Sequence, residues 1–569
     1  MQVCAETALP EAAAAGSRML DLLSYLRGEL QLKSIHSWNQ GTYGEVVIGL
    51  PRLAGEQPVA LKVQSSLCSE GKDAPGVPSV AVREVRAMHA VRHPHCMPLN
   101  TTFSWRGMFV TCMPWYPHTL IDVMAHGCCK DAWTRWSIFR DVVRGAAAAH
   151  AAGFAHRDIK PANVMLRGAL AADDVVLGDW GLSRSVAEAA PGYLSADVVT
   201  TWWAPAEVLC ESPAYGCAVD VWSLGMLLLD MCVGGMYYHM KPGCAKIERK
   251  DFMEQVLDLV GTTGLSAARA SWLADVMTSA GYPHRAATDM RRGTLAAVPA
   301  LAADALALDL VQRMLSLHPD DRPSLAEVLE HPFLAAQAPP PEWKSGPLPP
   351  PKNIKRALVS APAPPARLLD VWELAPARVC ASLPPFPPPA VLGWNPALPL
   401  PAVKRLLLCM RRTLVNTTFQ AYTLAMRMSW AVPAPSCVAE PGLMFACLML
   451  AHISVCCCSR VDDTVRETDG SHMWFRIRKE MEALGVESPT QLAYLERYVL
   501  SLLGGWVPAV PDWACAVGGA HRTMFVYLAS FPALVLALDA PPCRWLELAK
   551  DGVFLQAVRR HALEMQDYI

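Results

Sequence analysis

The chain has 569 residues, of which 52% are hydrophobic and 18% are charged, and its formal net charge is -2. This length exceeds the usual size of one domain, so we expect several separate hydrophobic cores. Because the charges nearly balance, composition excludes a general electrostatic affinity for nucleic acids or anionic membranes, and we expect neither as a direct partner.

The N-terminal sequence and the cysteines indicate an intracellular protein, in the nucleus or the cytoplasm. The first 20 residues contain no basic segment followed by an apolar run, which a secretory signal requires. The 19 cysteines include no CxxC pair of the kind that binds zinc, so we expect reduced and mostly buried thiols. Apolar stretches at 442–458 and 523–538 are shorter than the roughly 20 residues of a membrane span, and we expect core helices there.

Changes in composition divide the chain into five regions. An Ala-rich N-terminal segment has the pattern of an amphipathic helix, and it precedes short apolar runs typical of strands. Long helical patterns follow, then proline-rich sequence that favours an extended linker, then helical patterns again. The predicted regions are 1–30, 31–115, 116–335, 336–400 and 401–569.

The first chemical motif is "NQGTYGEV" at 39–46. Gly41 and Gly44 are spaced as in loops that fold over nucleotide phosphates, and Asn39 stands where a third glycine is usual. A left-handed backbone costs most residues about 1–2 kcal/mol, and asparagine tolerates it best after glycine. We therefore expect Asn39 to weaken nucleotide binding without abolishing it. The alternative is a loop that no longer binds nucleotide.

Four further motifs follow in order along the chain. They are "VALK" ending at Lys62, "VREV" containing Glu84, "HRDIKPANV" at 156–164 and "GDWG" at 178–181. A lone lysine at the end of an apolar strand is more often a surface residue, but the joint occurrence of these motifs favours a shared function. Lys62, fixed by an ion pair with Glu84, would hold the α- and β-phosphates of ATP.

Phosphoryl transfer depends on positioning and charge neutralisation, and the second pair of motifs supplies both. Asp158 would orient the substrate hydroxyl and accept its proton, and Lys160 would neutralise charge on the transferred phosphate. Asn163 and Asp179 are oxygen ligands of the kind that Mg²⁺ prefers. The expected cofactors are therefore ATP and Mg²⁺.

Together these motifs resemble the eukaryotic protein kinase family over residues 31–335. The resemblance implies an α+β fold class, with the two-lobed protein kinase fold divided into an N-lobe and a C-lobe near residue 115. In that family the glutamate and the arginine that match Glu207 and Arg322 form an ion pair in the C-lobe. The further landmarks are Asp220, Trp222, Glu207 and Arg322.

The resemblance also implies which residues contact ATP besides the two glycines and Lys62. Val46 and Ala60 match ATP-binding positions of the family. The hinge sequence "VTCMPWY" is ambiguous by one residue, and Pro114 has no N–H to donate to adenine. We assign Met113 as the backbone donor and Val110 as the gatekeeper.

Within the family, "GTYGEV", "PSVAVRE", "HRDIKPAN" and "VVTTWW" resemble cyclin-dependent kinases, and "PSVAVRE" is similar to the helix that a cyclin binds. Ser195 matches their activating phosphothreonine, although a solvated loop serine is the open alternative. Thr42 and Tyr43 match their inhibitory phosphorylation pair, or are ordinary turn residues. The matches to the phosphate-binding arginines are Arg83, Arg157 and Arg184.

Two residues bear on substrate choice. Lys160 by resemblance favours the hydroxyls of Ser and Thr over Tyr. Ala204 replaces an arginine that shapes the family's pocket for proline after the phosphorylated residue. Proline-directed specificity is therefore in doubt.

The region 401–569 has about five helical patterns, the third almost wholly apolar, which is the plan of an all-α bundle. Three of them are similar to helices of a cyclin box, and Glu496 matches the acidic residue that contacts the kinase helix. Ile453 and Trp430 replace polar residues expected in a cyclin, so a generic bundle is the alternative. A tethered cyclin-like domain would bind its own kinase domain at a high effective concentration.

These features predict a serine/threonine protein kinase with a built-in cyclin-like activator, acting on protein substrates through an intramolecular kinase–cyclin contact. One alternative is a catalytically weak decoy that sequesters kinase or cyclin partners. Another is an active kinase whose C-terminal bundle docks substrates. A fusion of this kind in an Ala- and Pro-rich chain suggests a large DNA virus as its source.

Overall fold

A computed structural model describes most of residues 19–335 and short segments beyond them. The described residues are 19–20, 22–28, 30–41, 44–53, 55–65, 79–105, 108–168, 174–186, 200–210, 212, 216–240, 249–282, 290–335, 357–359, 372–374, 443, 446–447, 449–451, 492, 495–496 and 499–500.

Five antiparallel strands form the centre of the N-lobe. Runs rich in Val, Ile and other apolar residues favour strands there because such side chains pack well on a pleated surface. In space the strands lie in the order β1-β2-β3-β5-β4. Their bounds are β1 Leu32–Gly41, β2 Gly44–Pro51, β3 Val59–Ser65, β4 Thr101–Trp105 and β5 Met108–Pro114.

The two faces of this sheet pack against different partners, because successive side chains of a strand point to opposite faces. On the outer face, Leu61 and Val63 belong to a cluster with a helix, α1, formed by residues 19–20 and 22–28. On the inner face, Ala60 belongs to the large cluster shared with the C-lobe. Lys62 therefore points to the inner face, toward the C-lobe.

Helix α2, Ser79–Ala90, carries the "SVAVRE" sequence and packs against residues 180–182. A Cβ on Gly181 would lie 2.6 Å from Val80 Cγ1, so glycine permits this close approach. Arg83 Nε donates to the carbonyl of Gly181 at 3.3 Å. These contacts hold α2 close to the segment that carries Asp179.

The C-lobe is mainly helical, and α4 and α6 run through its core. α6 is buried on nearly all sides, as expected for a helix that is apolar all round. Asp131 caps α4 by accepting from the Thr134 N–H at 2.7 Å. The helices are α3 Leu120–Ala125, α4 Ala132–Ala151, α5 Ala206–Leu209, α6 Ala218–Val233, α7 Arg249–Val260, α8 Ala267–Ser279, α9 Pro299–Ala302, α10 Ala305–Met314 and α11 Leu325–Glu330.

Short strands of the C-lobe position its two polar motifs. Residues 156–163 lie between β7 and β8, and residues 178–183 lie between β9 and β10. β7 pairs with β10, and β8 pairs with β9, so the two loops are held side by side. The strands are β6 His118–Thr119, β7 Phe154–Ala155, β8 Val164–Leu166, β9 Val175–Leu177 and β10 Arg184–Ser185.

The region predicted to be only a linker contributes two further strands to the N-lobe sheet. β11, Ala357–Val359, pairs with β1, and β12, Trp372–Leu374, pairs with β4. The sheet therefore has seven strands, with β11 and β12 outermost. The linker prediction missed them because each is only three residues long and lies in proline-rich surroundings.

The described residues of the C-terminal region fall on two helical stripes. Leu443, Ala446, Cys447 and Leu450 are helical and buried, and they follow the i, i+3, i+4, i+7 spacing of one helix face. The same spacing relates Leu492, Leu495, Glu496 and Val499, and the Glu496 side chain is buried with them. The arrangement of a complete bundle lies outside the described residues.

The predictions about cysteines and about apolar stretches can be compared with the described residues. None of the eight cysteines described there forms a disulfide, and most of them are buried. No helix within the described ranges is both long and apolar enough to cross a membrane. The apolar stretch 523–538 lies outside those ranges.

Replacing Gly145 with alanine is expected to destabilise the protein although alanine is the better helix former. The new Cβ would lie 2.5 Å from the carbonyl oxygen of His95, which is backbone and cannot rotate away. Overpacking of this kind costs roughly 1–3 kcal/mol and outweighs the gain of about 1 kcal/mol in helix propensity. Urea unfolding of the two proteins measures the difference. The difference between Ser271→Ala and Ser271→Gly, at an exposed position of α8, is the control for propensity alone. A Gly145→Ala protein as stable as wild type would contradict the packing argument.

Candidate active site

A polar cluster surrounds the carboxylate of Asp158, in the loop between β7 and β8. Lys160 Nζ lies 2.7 Å from Asp158 Oδ2, and Thr200 Oγ1 donates to Asp158 Oδ1 at 2.7 Å. Lys160 also donates to Thr200 Oγ1 at 2.8 Å. Asn163, at the end of a short 3-10 helix, donates to Asp158 Oδ2 at 2.9 Å. The predicted catalytic pair thus meets a predicted metal ligand at one carboxylate, and Thr200, to which the sequence assigned no chemistry, joins them.

The buried ring of His156 connects the two C-lobe motifs. Its Nε2 lies 3.0 Å from the Gly178 carbonyl, and its Nδ1 accepts the Asp158 N–H at 3.2 Å. Because a carbonyl only accepts, the ring proton is on Nε2, and burial lowers the pKa of His156 so that the ring stays neutral. Trp180 packs edge-on to this ring and donates Nε1–H to the Leu177 carbonyl at 3.2 Å. The "HRD" and "DWG" segments are thereby held in fixed relation.

Asp220 holds the backbone of the loop between β7 and β8 in a strained conformation. Its Oδ1 accepts the Arg157 N–H at 2.7 Å, and its Oδ2 accepts the His156 N–H at 2.8 Å. His150 Nε2 also lies 2.8 Å from Oδ2. Burial opposes ionisation, but the hydrogen bond from His150 and the neighbouring groups lower the pKa of Asp220. Arg157 has a φ of 70°, which costs a non-glycine residue on the order of 1–3 kcal/mol and is sustained by these bonds.

Lys62, Glu84 and Asp179 form one ionic network across the two lobes. Lys62 Nζ lies 2.9 Å from Glu84 Oε1 and 2.9 Å from Asp179 Oδ1. Burial alone would lower the pKa of Lys62, but the two carboxylates raise it above its ordinary value, so the ammonium stays charged. Burial would likewise raise the pKa of Asp179, but Lys62 holds it below its ordinary value. The ion pair predicted between α2 and β3 is therefore formed.

The two predicted metal ligands, Asn163 and Asp179, lie on neighbouring loops of the C-lobe. The Gly178 N–H donates to the backbone carbonyl of Asn163 at 2.9 Å, which brings Asp179 beside Asn163. Because the Asn163 amide nitrogen donates to Asp158, its amide oxygen is the atom left to bind a cation. One amide oxygen and one carboxylate are a suitable protein contribution for Mg²⁺, which usually keeps several water or phosphate ligands. The residues present therefore fit Mg²⁺ bound to a nucleotide.

The glycine-rich hairpin differs from prediction at Asn39. Gly44 has a φ of 148°, and a Cβ there would lie 2.2 Å from the Val63 carbonyl oxygen, so only glycine fits. Asn39 lies in extended β1 and pairs with Val46, so the left-handed backbone assumed for it does not occur. Asparagine consequently carries no backbone penalty at this position. Gly41 ends β1, whereas Thr42 and Tyr43 lie outside the described residues.

The structure corrects the predicted gatekeeper. Val110 packs in the outer-face cluster with α1, not in the cleft between the lobes. Met113 pairs with Ala60 and shares the inner cluster with it, and Val46 packs against the same cluster. Met113 is therefore the β5 side chain beside Val46 and Ala60, the predicted nucleotide-binding positions.

The same register also excludes Met113 as the backbone donor to adenine. The Trp115 N–H donates to the Pro58 carbonyl at 3.0 Å, and bonded pairs alternate along an antiparallel ladder. The next bonded pair is Met113 with Ala60, so the ladder already uses the Met113 N–H. Within the described part of the chain, no backbone hydrogen bond uses the N–H of Tyr116. The prediction failed because both faces of β5 are buried, so hydrophobicity did not indicate the register.

The three predicted phosphate-binding arginines are buried in one region of the fold. Arg184 lies in β10 opposite Ala155, two residues before Arg157. Arg83 donates to Gly181, three residues before Arg184. The predicted phosphorylation site Ser195 lies outside the described residues.

The predicted ion pair between Glu207 and Arg322 is present and buried. Arg322 Nη1 lies 2.7 Å from Glu207 Oε1, and Nη2 donates to Oε2 at 2.8 Å. Such bidentate geometry fixes planar groups strongly, so it ties α5 to the turn before α11. Ala204, three residues earlier, is buried in the C-lobe core.

Comparison with known proteins agrees with this geometry. Residues 34–334 match the family described as "Protein kinase domain". The chain is 25% identical over 313 residues to "CTD kinase subunit alpha" of Schizosaccharomyces pombe, covering 54% of this chain and 49% of that protein. It is 26% identical over 297 residues to "Cell division control protein 2 homolog 3" of Trypanosoma brucei brucei, covering 52% of this chain and 89% of that protein. It is 27% identical over 321 residues to "Cyclin-dependent kinase 15" of Danio rerio, covering 54% and 69% respectively. The chain thus spans about half the length of the first relative.

Proposed function

The chain belongs to the protein kinase family, and from this premise we propose that it is a serine/threonine kinase that transfers the γ-phosphate of Mg-ATP to hydroxyl groups of proteins. The observation that carries the proposal is the polar cluster at Asp158, with Lys160 2.7 Å away, together with the Lys62–Glu84 ion pair at 2.9 Å. The names of the relatives, a CTD kinase and a cyclin-dependent kinase, favour serine and threonine as acceptors.

The residues of the cluster divide the chemistry among themselves. Asp158 accepts a hydrogen bond from the substrate hydroxyl, orients it and takes its proton. Lys160 lies beside the transferred phosphoryl group and neutralises charge there. Thr200 donates to Asp158 and accepts from Lys160, so it keeps both side chains in the productive rotamer.

Nucleotide binding falls to the N-lobe and to the loops beside it. Lys62 holds the α- and β-phosphates, and Glu84 fixes its position. Bound Mg²⁺ would neutralise charge on the phosphates, and Asn163 and Asp179 are the residues that would hold it. Gly44 lets the hairpin pack closely against the Val63 carbonyl of β3, because a side chain does not fit there.

A thermal-shift measurement with ATP separates this proposal from the decoy hypothesis. We expect ATP with Mg²⁺ to raise the melting temperature, and ATP without Mg²⁺ to raise it less, because Asp179 and Asn163 bind nucleotide through the cation. A control with Mg²⁺ alone excludes a direct effect of the cation. No shift with Mg-ATP would favour the decoy.

We propose that Tyr116 replaces Met113 as the backbone donor to adenine. Tyr116→Pro removes this N–H and is expected to raise the Kd for ATP about tenfold, the loss of roughly one hydrogen bond. The side chain also contributes to the fold, because its hydroxyl lies 3.0 Å from Arg167 Nη2. Tyr116→Ala is therefore the matched control, since it loses the same contacts but keeps the N–H. Equal affinities of the two variants, measured with a fluorescent nucleotide, would contradict the assignment.

We propose that phosphorylation controls the enzyme at two places taken from the family resemblance. A phosphoserine at Ser195 would bring about two negative charges to Arg83, Arg157 and Arg184. Phosphorylation of Thr42 or Tyr43 would place negative charge on the hairpin that covers the ATP phosphates. Mass spectrometry of the purified protein tests whether these residues are modified.

We propose that the C-terminal region is a cyclin-like activator that docks on α2 and keeps Glu84 against Lys62. The buried helical stripes around Leu450 and Glu496 support a packed helical unit, and Glu496 is the proposed contact residue. Substrate docking by this unit is the alternative. Because Ala204 stands in place of the expected arginine, we propose substrates without an obligatory proline after the phosphorylated residue.

A further inference from the structure

Both edges of the N-lobe sheet are occupied by backbone from the same short stretch of the chain, after the C-lobe. β11 is the neighbour of β1, and β12 is the neighbour of β4. The paired residues are Ile35 with Val359, His36 with Ala357, Trp372 with Ser104, Glu373 with Phe103 and Leu374 with Thr102.

We propose that β11 and β12 are the two ends of an intramolecular strap that closes both edges of this sheet and anchors the C-terminal region to the N-lobe. An edge strand presents unpaired N–H and C=O groups, which bind an extended peptide through main-chain hydrogen bonds. The β1 and β4 edges are such docking sites, and their occupants are β11 and β12. The strap depends only on the fold, so it stands independently of catalysis.

The length of the chain fits one strap reaching both edges. Six strand spacings separate β11 from β12, which is roughly 29 Å at about 4.8 Å each. The chain from Val359 to Trp372 makes 13 Cα steps and reaches about 43 Å when extended. Once one strand has paired, the other pairs at the high effective concentration of a short tether.

The strap pairs with strands that adjoin the glycine-rich hairpin and α2. β1 runs into the glycine-rich hairpin, and β4 follows α2 after a short loop. Leu374 ends β12 opposite Thr102, near the start of β4. The tether to the helical region then starts at residue 375 on the N-lobe rather than at residue 336 on the C-lobe. A shorter tether favours docking of that region on α2.

The five residue pairs of the strap provide only a modest number of hydrogen bonds, so its attachment is reversible. Reversible pairing makes the strap visible by hydrogen exchange. Amides of β1 and β4 that point away from the centre of the sheet exchange slowly while the strap is attached and quickly after it detaches.

The test uses the full chain with proline at all three residues of each strand. The six substitutions are Ala357→Pro, Leu358→Pro, Val359→Pro, Trp372→Pro, Glu373→Pro and Leu374→Pro. Proline has no N–H, so these changes remove every backbone donor of both strands, whichever N–H groups point toward β1 and β4. Edge amides of β1 and β4 are expected to exchange about tenfold faster than in wild type, the factor of roughly one net hydrogen bond. Unchanged exchange would overturn the proposal.

A matched control and a rescue distinguish lost pairing from misfolding. Ala377→Pro, Arg378→Pro and Val379→Pro lie outside both strands and are expected to leave the exchange unchanged. A synthetic peptide of residues 354–377, added to the six-proline variant, is expected to restore the protection. The same peptide with the six prolines is expected to have no effect. Failure of the wild-type peptide to restore protection would assign the change to misfolding and overturn the strap.

Discussion

Asp158→Asn is expected to lower kcat about a thousandfold while the KM for ATP stays within about a factor of two. The change keeps the size of the side chain but removes the proton acceptor. It also puts an NH₂ group either where Thr200 approaches Oδ1 or where Lys160 and Asn163 approach Oδ2. Asp158 has no assigned contact with ATP, so nucleotide affinity is preserved. Steady-state kinetics with a peptide substrate measure both constants.

Asp131→Asn is the matched control for this substitution. Asp131 caps α4 through the Thr134 N–H at 2.7 Å, and asparagine caps a helix about as well as aspartate. This control variant should keep wild-type kinetics. If Asp158→Asn retained wild-type kcat, the assignment of the catalytic base would be wrong.

Deleting residues 401–569 is expected to reduce kcat/KM for a peptide substrate about a hundredfold. The physical reason is the position of α2, because Glu84 pairs with Lys62 at 2.9 Å only while α2 lies against the sheet. A docked C-terminal region would bias this two-state element, and a hundredfold loss corresponds to roughly 2.7 kcal/mol of bias. The deletion keeps β11 and β12, so the strap is not removed with the proposed activator.

The truncated protein needs two companion measurements. A thermal shift with Mg-ATP establishes that the remaining chain is folded and binds nucleotide. Activity on a short peptide and activity on a whole protein substrate then separate the two roles of the C-terminal region. Unchanged activity on the short peptide, with loss only on whole proteins, would contradict the activator and favour a substrate-docking module.

Residues whose side chains have a specific chemical role were predicted better than features that depend on strand register and backbone pairing. Lys62, Glu84 and Asp179 lie far apart in the sequence, yet their motif neighbours identified them, and they meet within hydrogen-bonding distance. Glu207 and Arg322 are a second example. A role that requires one residue type at one position is visible in the sequence as a motif.

Two of the failures share one physical cause, which is that the path and pairing of the backbone leave little trace in residue types, and Thr200 was missed for a different reason. Both faces of β5 are buried, so its apolar run did not indicate that Val110 points outward and Met113 inward. β11 and β12 are held by backbone pairing at the sheet edges, and three-residue strands have no detectable periodicity. Thr200 resembles any loop threonine until the fold places it between Lys160 and Asp158.

We propose that this chain transfers phosphate from ATP to protein hydroxyl groups, and one experiment tests this directly. The most direct measurement incubates the purified full chain and its Asp158→Asn variant with radiolabelled Mg-ATP and a degenerate library of Ser, Thr and Tyr peptides. We predict label on Ser and Thr peptides with the wild-type chain and almost none with the variant. Absence of label from a folded wild-type chain that binds Mg-ATP, or equal labelling by the two proteins, would contradict the proposed phosphoryl transfer.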